Sequence, residues 1–266
     1  MRILLSNDDG ILAPGLAALY AAVADMGEVT VVAPSSPQSA AGHSITVTGP
    51  LLVQHVQIDG PRPFWGNSVD GRPADCVRLA VRRLIPGWPD LVLSGMNAGA
   101  NVGVNVFYSG TVAAAAEAAM LGIPAVALSA ACRSGPGDID YPRAAGLCRW
   151  VVERLLEAGL AGGDLINVNI PLLEGGAPRG LRVVPQSTSE LEDVYEMSLD
   201  AQGRQTYRLG VEYRFRQHQA DTDVGCLHEG FITVTPLHVD MTDGRRLAAL
   251  AGVTWADLPD ALRQPG

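Results

Sequence analysis

A chain of 266 residues, 47% hydrophobic and 18% charged, is long enough for one large globular domain or for a core with an appendage. A net charge of −9, with basic residues gathered no further than pairs such as Arg82–Arg83 and Arg245–Arg246, argues against a nucleic-acid duplex as partner. No apolar run approaches the roughly 20 residues needed to cross a bilayer. No leader-like segment opens the chain, and the four cysteines lack metal or disulfide spacing, so reduced thiols in the cytoplasm are expected.

The first apolar run, RILLS (2–6), lacks apolar/polar alternation and reads as a strand covered on both faces. A helix follows, with Pro14 in its opening turn, Leu16, Leu19, Tyr20 and Val23 on one face, and Gly27 as its stop. VTVVAP (29–34) is the second strand. A helix then runs from Pro73 to Leu84, LVLSG (91–95) is a further strand, and SGTVAAAAEAAMLG forms a helix bounded by Ser109 and Gly122. The strand AVALS (125–129), a helix over 141–158 and the strand LINVNI (165–170) complete the alternation. This order implies an α/β fold: a Rossmann-like, doubly wound, mostly parallel sheet over residues 1–185.

Beyond that point the texture changes. DVYEMSLDAQGRQTYRLG alternates about a turn at Asp200–Gly203 and reads as an antiparallel hairpin, and EGFITVTPLHV (229–239) reads as a returning strand. An isolated hairpin buries neither face well, so the arm spanning 186–240 is expected to project and to serve oligomerisation, packing on or exchanging with another subunit. An edge hairpin folded back on its own domain is the alternative. The tail, 241–266, reads as a short helix from Arg245 to Leu262.

In an open parallel sheet, ligands bind beyond the carboxyl ends of the strands. NDDG follows the first strand, SSPQSAAGH (35–43) the second, and GMNAGANVG (95–103) a later one, so three polar loops share one edge. Whether they meet is set by strand order. Asp8 and Asp9 are hard oxygen donors, Ser39 and Asn97 neutral ones, a set that suits Mg²⁺, Mn²⁺ or Ca²⁺ over zinc. Adjacent carboxylates repel each other and resist burial unless a cation or a proton intervenes. Taken alone, the pair equally fits Asp8 capping the first helix and Asp9 solvated in a turn; the two companion loops weigh towards a metal. Ser109, Gly110 and Thr111 open a helix, where free N–H groups and the helix dipole favour an anion, although plain N-capping by Ser109 or Thr111 fits the same residues. His43 is a candidate proton donor to a leaving group, weighed against an incidental loop histidine. No GxSxG elbow accompanies any serine.

Taken together, SNDDGILAPG, VVAPSSPQSAAGHSIT, GRPADCV, PDLVLSGMNAGANVG, YSGTVAAAAEAAMLGIPAVALS, NVNIP and FITVTPL resemble the SurE family of stationary-phase survival proteins, in the family's order and over nearly the whole chain. The resemblance implies a metal-dependent 5′-nucleotidase that hydrolyses nucleoside monophosphates and forms dimers or tetramers with an exchanged C-terminal arm. It implies one divalent ion per subunit, Mg²⁺ or Mn²⁺ with Ca²⁺ as a stand-in, held by Asp8, Asp9, Ser39 and Asn97. Asn101, Ser109, Gly110 and Thr111 would hold the phosphate, and Asp8, Asp9, Asn97 and His43 would carry catalysis. Two departures stand out. Arg72 replaces a small hydroxyl residue before Pro73, so that helix is expected to be less well capped, and Val224–Gly225 replaces an aromatic pair after Asp223.

The mechanism expected is metal-assisted hydrolysis of a phosphomonoester, with amides near Gly110 stabilising the charge on the phosphoryl oxygens. An aspartyl-phosphate mechanism needs Asp-x-Asp, and the pair here is adjacent. The rival from another class is a regulatory protein that binds nucleotide and metal without turnover.

Overall fold

Ile3, Leu4 and Leu5 are all fully buried because strand β1 (Arg2–Ser6) runs through the middle of a nine-stranded sheet. Ile3 and Leu5 join the core beneath α1 (Pro14–Val23) and α4 (Tyr141–Glu157), while Leu4 faces α2 (Pro73–Leu79) and α3 (Gly110–Met120). An unbroken apolar run is what a strand with helices on both faces requires. The computed structural model describes residues 1–173, 176–192, 194–210, 214–215 and 219–254.

β2 (Glu28–Pro34) and β5 (Leu91–Ala98) flank β1, both parallel to it. The chain leaves β1 through α1 towards one side, then crosses back through α2 on the opposite face to reach β5. That reversal opens a crevice at the carboxyl ends of β1, β2 and β5. β6 (Ala125–Ala130) and β7 (Leu165–Ile170) continue the parallel set. β13 (Ile232–Leu237) then runs antiparallel to β7 within the same chain and parallel to the short β8 (Leu181–Val183).

The other edge was not legible in the sequence. β3 (Val53–Ile58) and β4 (Phe64–Val69) form an antiparallel hairpin, with β4 parallel to β2. VQHVQI is largely exposed and FWGNSV is interrupted by a glycine, so neither carries the buried-strand signature. α1 ends at Val23 instead of reaching Gly27, because the Met26 N–H turns back to the Val23 carbonyl at 2.9 Å. α2 continues as a π-helical turn over Ala80–Leu84, and a 3₁₀ turn spans Gly103–Phe107. The helix at Pro73 is better capped than Arg72 suggested: the Asp75 carboxylate accepts the Arg72 N–H at 2.9 Å, the return half of a capping box.

The expected hairpin forms from β10 (Tyr195–Leu199) and β11 (Gln205–Leu209), paired antiparallel about a turn at Asp200–Gly203. Below it β9 (Leu191–Glu192) pairs with β12 (Arg214–Phe215). Asp193, where the sequence reading began this hairpin, lies outside the described residues. α5 (Asp223–His228) is a six-residue helix without a counterpart among the expected elements, and α6 (Gly244–Ala251) starts one residue before the expected tail helix. The expected helix is cut short at Ala251, where Gly252 caps it and 252–254 turn out of the helix; residues from 255 on lie outside the described residues. No helix among the described residues is long and apolar enough to cross a membrane.

One close approach fixes the spacing of α1 over the sheet. A Cβ at Gly15 would stand 2.2 Å from the Met96 carbonyl oxygen of β5, a contact with backbone that no rotamer can relieve. Gly15→Ala is expected to destabilise the fold by about 2 kcal/mol or more, read as a fall in the urea midpoint at unchanged slope.

Candidate active site

The three polar loops do meet. Asp8 and Asp9 leave the end of β1, and the Gln38 N–H of the loop after β2 donates to the Asp8 carbonyl at 2.8 Å. Ser39, the next residue, is on the exposed side of that loop. From the other flank, β5 shifts register between Ser94 and Asn97, and the Ala98 N–H donates to Asp9 Oδ2 at 3.0 Å. Asn97 gives its amide Nδ2–H to the Gly99 carbonyl at 2.7 Å, which leaves its carbonyl oxygen as the atom suited to a cation.

Asp8 is 5% exposed and does not cap α1, whose cap residue is Ala13 with no side-chain bond. It lies instead against the start of α3. Thr111 donates its hydroxyl to Asp8 Oδ1 at 2.5 Å, and a Cβ on Gly110 would fall 2.7 Å from that of Asp8. Only glycine lets helix and carboxylate come so close. Burial pushes the Asp8 carboxyl up to about 6; the neighbouring Asp9 adds to the rise, and the Thr111 hydrogen bonds oppose it. Burial also raises the Asp9 carboxyl, against the Ala98 bond. A buried and a half-buried carboxylate side by side, both raised by burial, form a site whose charge a hard cation would neutralise. Among the described residues no three His, Cys, Asp or Glu side chains gather as a metal cage, so any ion here would draw on the neutral oxygens as well.

The remaining predicted residues divide. Ser109 caps α3, its Oγ accepting the Val112 N–H at 3.1 Å, and the next two residues, Gly110 and Thr111, border Asp8. Asn101 turns inward: its N–H donates to Asn169 Oδ1 at 2.8 Å and its Nδ2–H to Ser129 Oγ at 2.9 Å, while its carbonyl accepts from Asn167 and Asn169. Its backbone N–H and one of its two amide N–H donors are thereby engaged under the loop. His43 places Nε2 3.1 Å from Glu117 Oε2 on α3.

Several supporting residues escaped the sequence reading. The buried Asp223 accepts N–H bonds from Gly103, Ser187 and Val224 at 2.7–2.8 Å, tying the glycine-rich loop to the segment after β8. Asp75 also accepts the Thr46 N–H at 3.0 Å, and Arg72 Nη1 donates to Gln38 Oε1 at 2.5 Å, so α2 braces the loop that carries Ser39. A usable signal existed for Asp75, at the third helical position after Arg72, and for Glu117, a lone charge in an alanine-rich helix.

The sequence profile described as survival protein SurE matches residues 3–193. The chain is 41% identical over 258 residues to the 5′-nucleotidase SurE of Moorella thermoacetica, covering 96% of this chain and 98% of that one. It is 43% identical over 254 residues to 5′-nucleotidase SurE 1 of Thermus thermophilus, covering 95% and 98%. The crystal structure of the SurE protein from Aquifex aeolicus superposes with a TM-score of 0.80 at 36% identity, covering 94% of this chain and 98% of the other. With its paired aspartates, its bulged β5 and the start of α3 converging at the sheet's switch point, the chain belongs to the SurE family.

Proposed function

We infer that the protein is a phosphomonoesterase, a 5′-nucleotidase that cleaves nucleoside monophosphates to nucleoside and phosphate. The observation that carries this is Asp8 set against the start of α3 while Asp9 beside it accepts the Ala98 N–H, next to Asn97, supported by relatives named 5′-nucleotidase SurE at about 40% identity over nearly the whole chain. Asp8, Asp9, Ser39 and Asn97 are the residues that would hold one Mg²⁺ or Mn²⁺. Such an ion supplies positive charge to a phosphoryl oxygen and acidifies an attacking water. Ser109, Gly110 and Thr111 set the helix start against the phosphoryl group, where backbone dipoles favour its charge. Asn101 holds the loop beneath. His43 delivers a proton to the leaving nucleoside oxygen through Nδ1, the ring nitrogen not engaged by Glu117.

Phosphate release from AMP or GMP with Mn²⁺ is the direct test. Turnover that EDTA brings to background supports the proposal. Binding of nucleotide and Mn²⁺ with no phosphate released would leave the regulatory reading standing instead.

The same reading makes residues 1–185 the catalytic body and 186–240 the arm, with β13 rejoining the body's sheet. Tyr195, Met197 and Leu199 share a face of the hairpin with Tyr207 and Leu209, and all five are exposed. An apolar face of this kind is covered by another copy in a homodimer or homotetramer. Light scattering at micromolar concentration should give a multiple of the chain mass; a monomer would remove this part. Four free cysteines, three of them buried, suit a reducing compartment such as the cytoplasm.

A further inference from the structure

Glu117 lies in the third turn of α3 among alanines and is 3% exposed, a position where a carboxylate needs partners. It has one on each side. His43 Nε2 stands 3.1 Å from Oε2, and Arg78, from α2, donates Nη1–H to Oε1 at 3.3 Å. The contact ties the far end of the loop after β2 to the flank of α3. The near end of that loop is pinned by Gln38 on the Asp8 carbonyl, and its middle by the Gly42 N–H on the Tyr108 carbonyl at 3.0 Å. Between these pins stand Ser39, Ala40 and Ala41, in a turn closed by the Ala41 N–H on the Gln38 carbonyl at 3.2 Å, with Ala40 at φ +55, a left-handed conformation uncommon for alanine. The far end of the loop, beyond that turn, is held at His43.

We propose that Glu117, braced by Arg78, latches His43 and so holds the loop in the conformation that brings Ser39 to the metal. Glu117 is a positioning residue and touches neither substrate nor ion. The inference rests on the assignment of Ser39 as a ligand. Its test is calorimetric titration of the metal-free, full-length protein with Mn²⁺, alongside hydrogen exchange over residues 38–46. Glu117→Gln and His43→Ala should each weaken Mn²⁺ binding by about tenfold, the size expected when a group that orients a ligand is lost. Exchange across the loop should rise in both. The double variant should bind no worse than the weaker single one, because both changes remove the same contact. Ser39→Ala separates the two levels. If it leaves Mn²⁺ affinity unchanged, the metal-site assignment fails and the latch with it. If it weakens binding while the latch variants keep parental affinity and exchange, or if their losses add, the latch alone is overturned. His43→Ala changes an exposed loop residue and keeps the test decisive should Glu117→Gln fold poorly.

Discussion

Asp9→Ala is expected to lower phosphomonoester hydrolysis by about 10³-fold, roughly 4 kcal/mol in the barrier, with the fold retained. The size follows from what the carboxylate does: with Asp8 it supplies the negative charge that would hold a divalent ion, and no other described acid is positioned to replace it. The survival of the fold follows from how little else it does. Its carboxylate accepts the Ala98 N–H, and its burial makes the charge a burden in the absence of a cation. Steady-state phosphate release with saturating Mn²⁺ measures the first, and circular dichroism with thermal unfolding measures the second. Parental turnover in a folded Asp9→Ala protein would end the metal-site proposal.

The second large effect is on stability, and it concerns Asp8. Its carboxyl ionises at 3.8 in an ordinary setting and at about 6 here, so between those values the folded chain binds more protons than the unfolded one. Stability of the metal-free protein therefore falls as pH rises through that window, by about 3 kcal/mol in total, and is highest on the acid side of it as far as Asp8 is concerned. Asp9, displaced in the same direction, contributes with the same sign. Urea unfolding of EDTA-treated protein between pH 4 and pH 7 should show the decline. Asp8→Asn should flatten much of it and should be the more stable protein at pH 7, since an amide can still accept the Thr111 hydroxyl. Added Mn²⁺ should erase the decline in the parent, because the cation then does what the proton did. A parent whose stability does not change between those pH values, once metal is removed, would refute the account of Asp8.

How much of the fold the sequence reveals depends on the range of the interaction involved. The strands RILLS, VTVVAP, LVLSG, AVALS and LINVNI and the helices between them were legible, because burial on both faces and helical periodicity are written in neighbouring residues. The β3–β4 hairpin was not, since β3 is a largely exposed edge strand and β4, though mostly buried, is broken up by Gly66, Asn67 and Ser68. The six-residue α5 was missed for a different reason. It contains Gly225 and is short, and much of its support comes from Asp223, whose N–H partners include Gly103, more than a hundred residues away.

The candidate site divides along the same line. Hard oxygen donors after a strand, and a small-residue helix start suited to an anion, are local facts, and they point to metal and phosphate chemistry without a structure. That Asp8 meets Thr111, that Asp9 meets Ala98, and that Asn101 turns inward to Ser129 are decided by the placing of β1 between β2 and β5 and by the bulge in β5. From the amino-acid order alone came the kind of chemistry and the α/β architecture, because donor types and periodicity are properties of the residues themselves. Only the tertiary structure decided which residues touch, and it made Glu117 visible as more than a stray charge in an alanine helix, because contacts across 39 and 74 positions, to Arg78 and His43, exist once the sheet has brought those elements together.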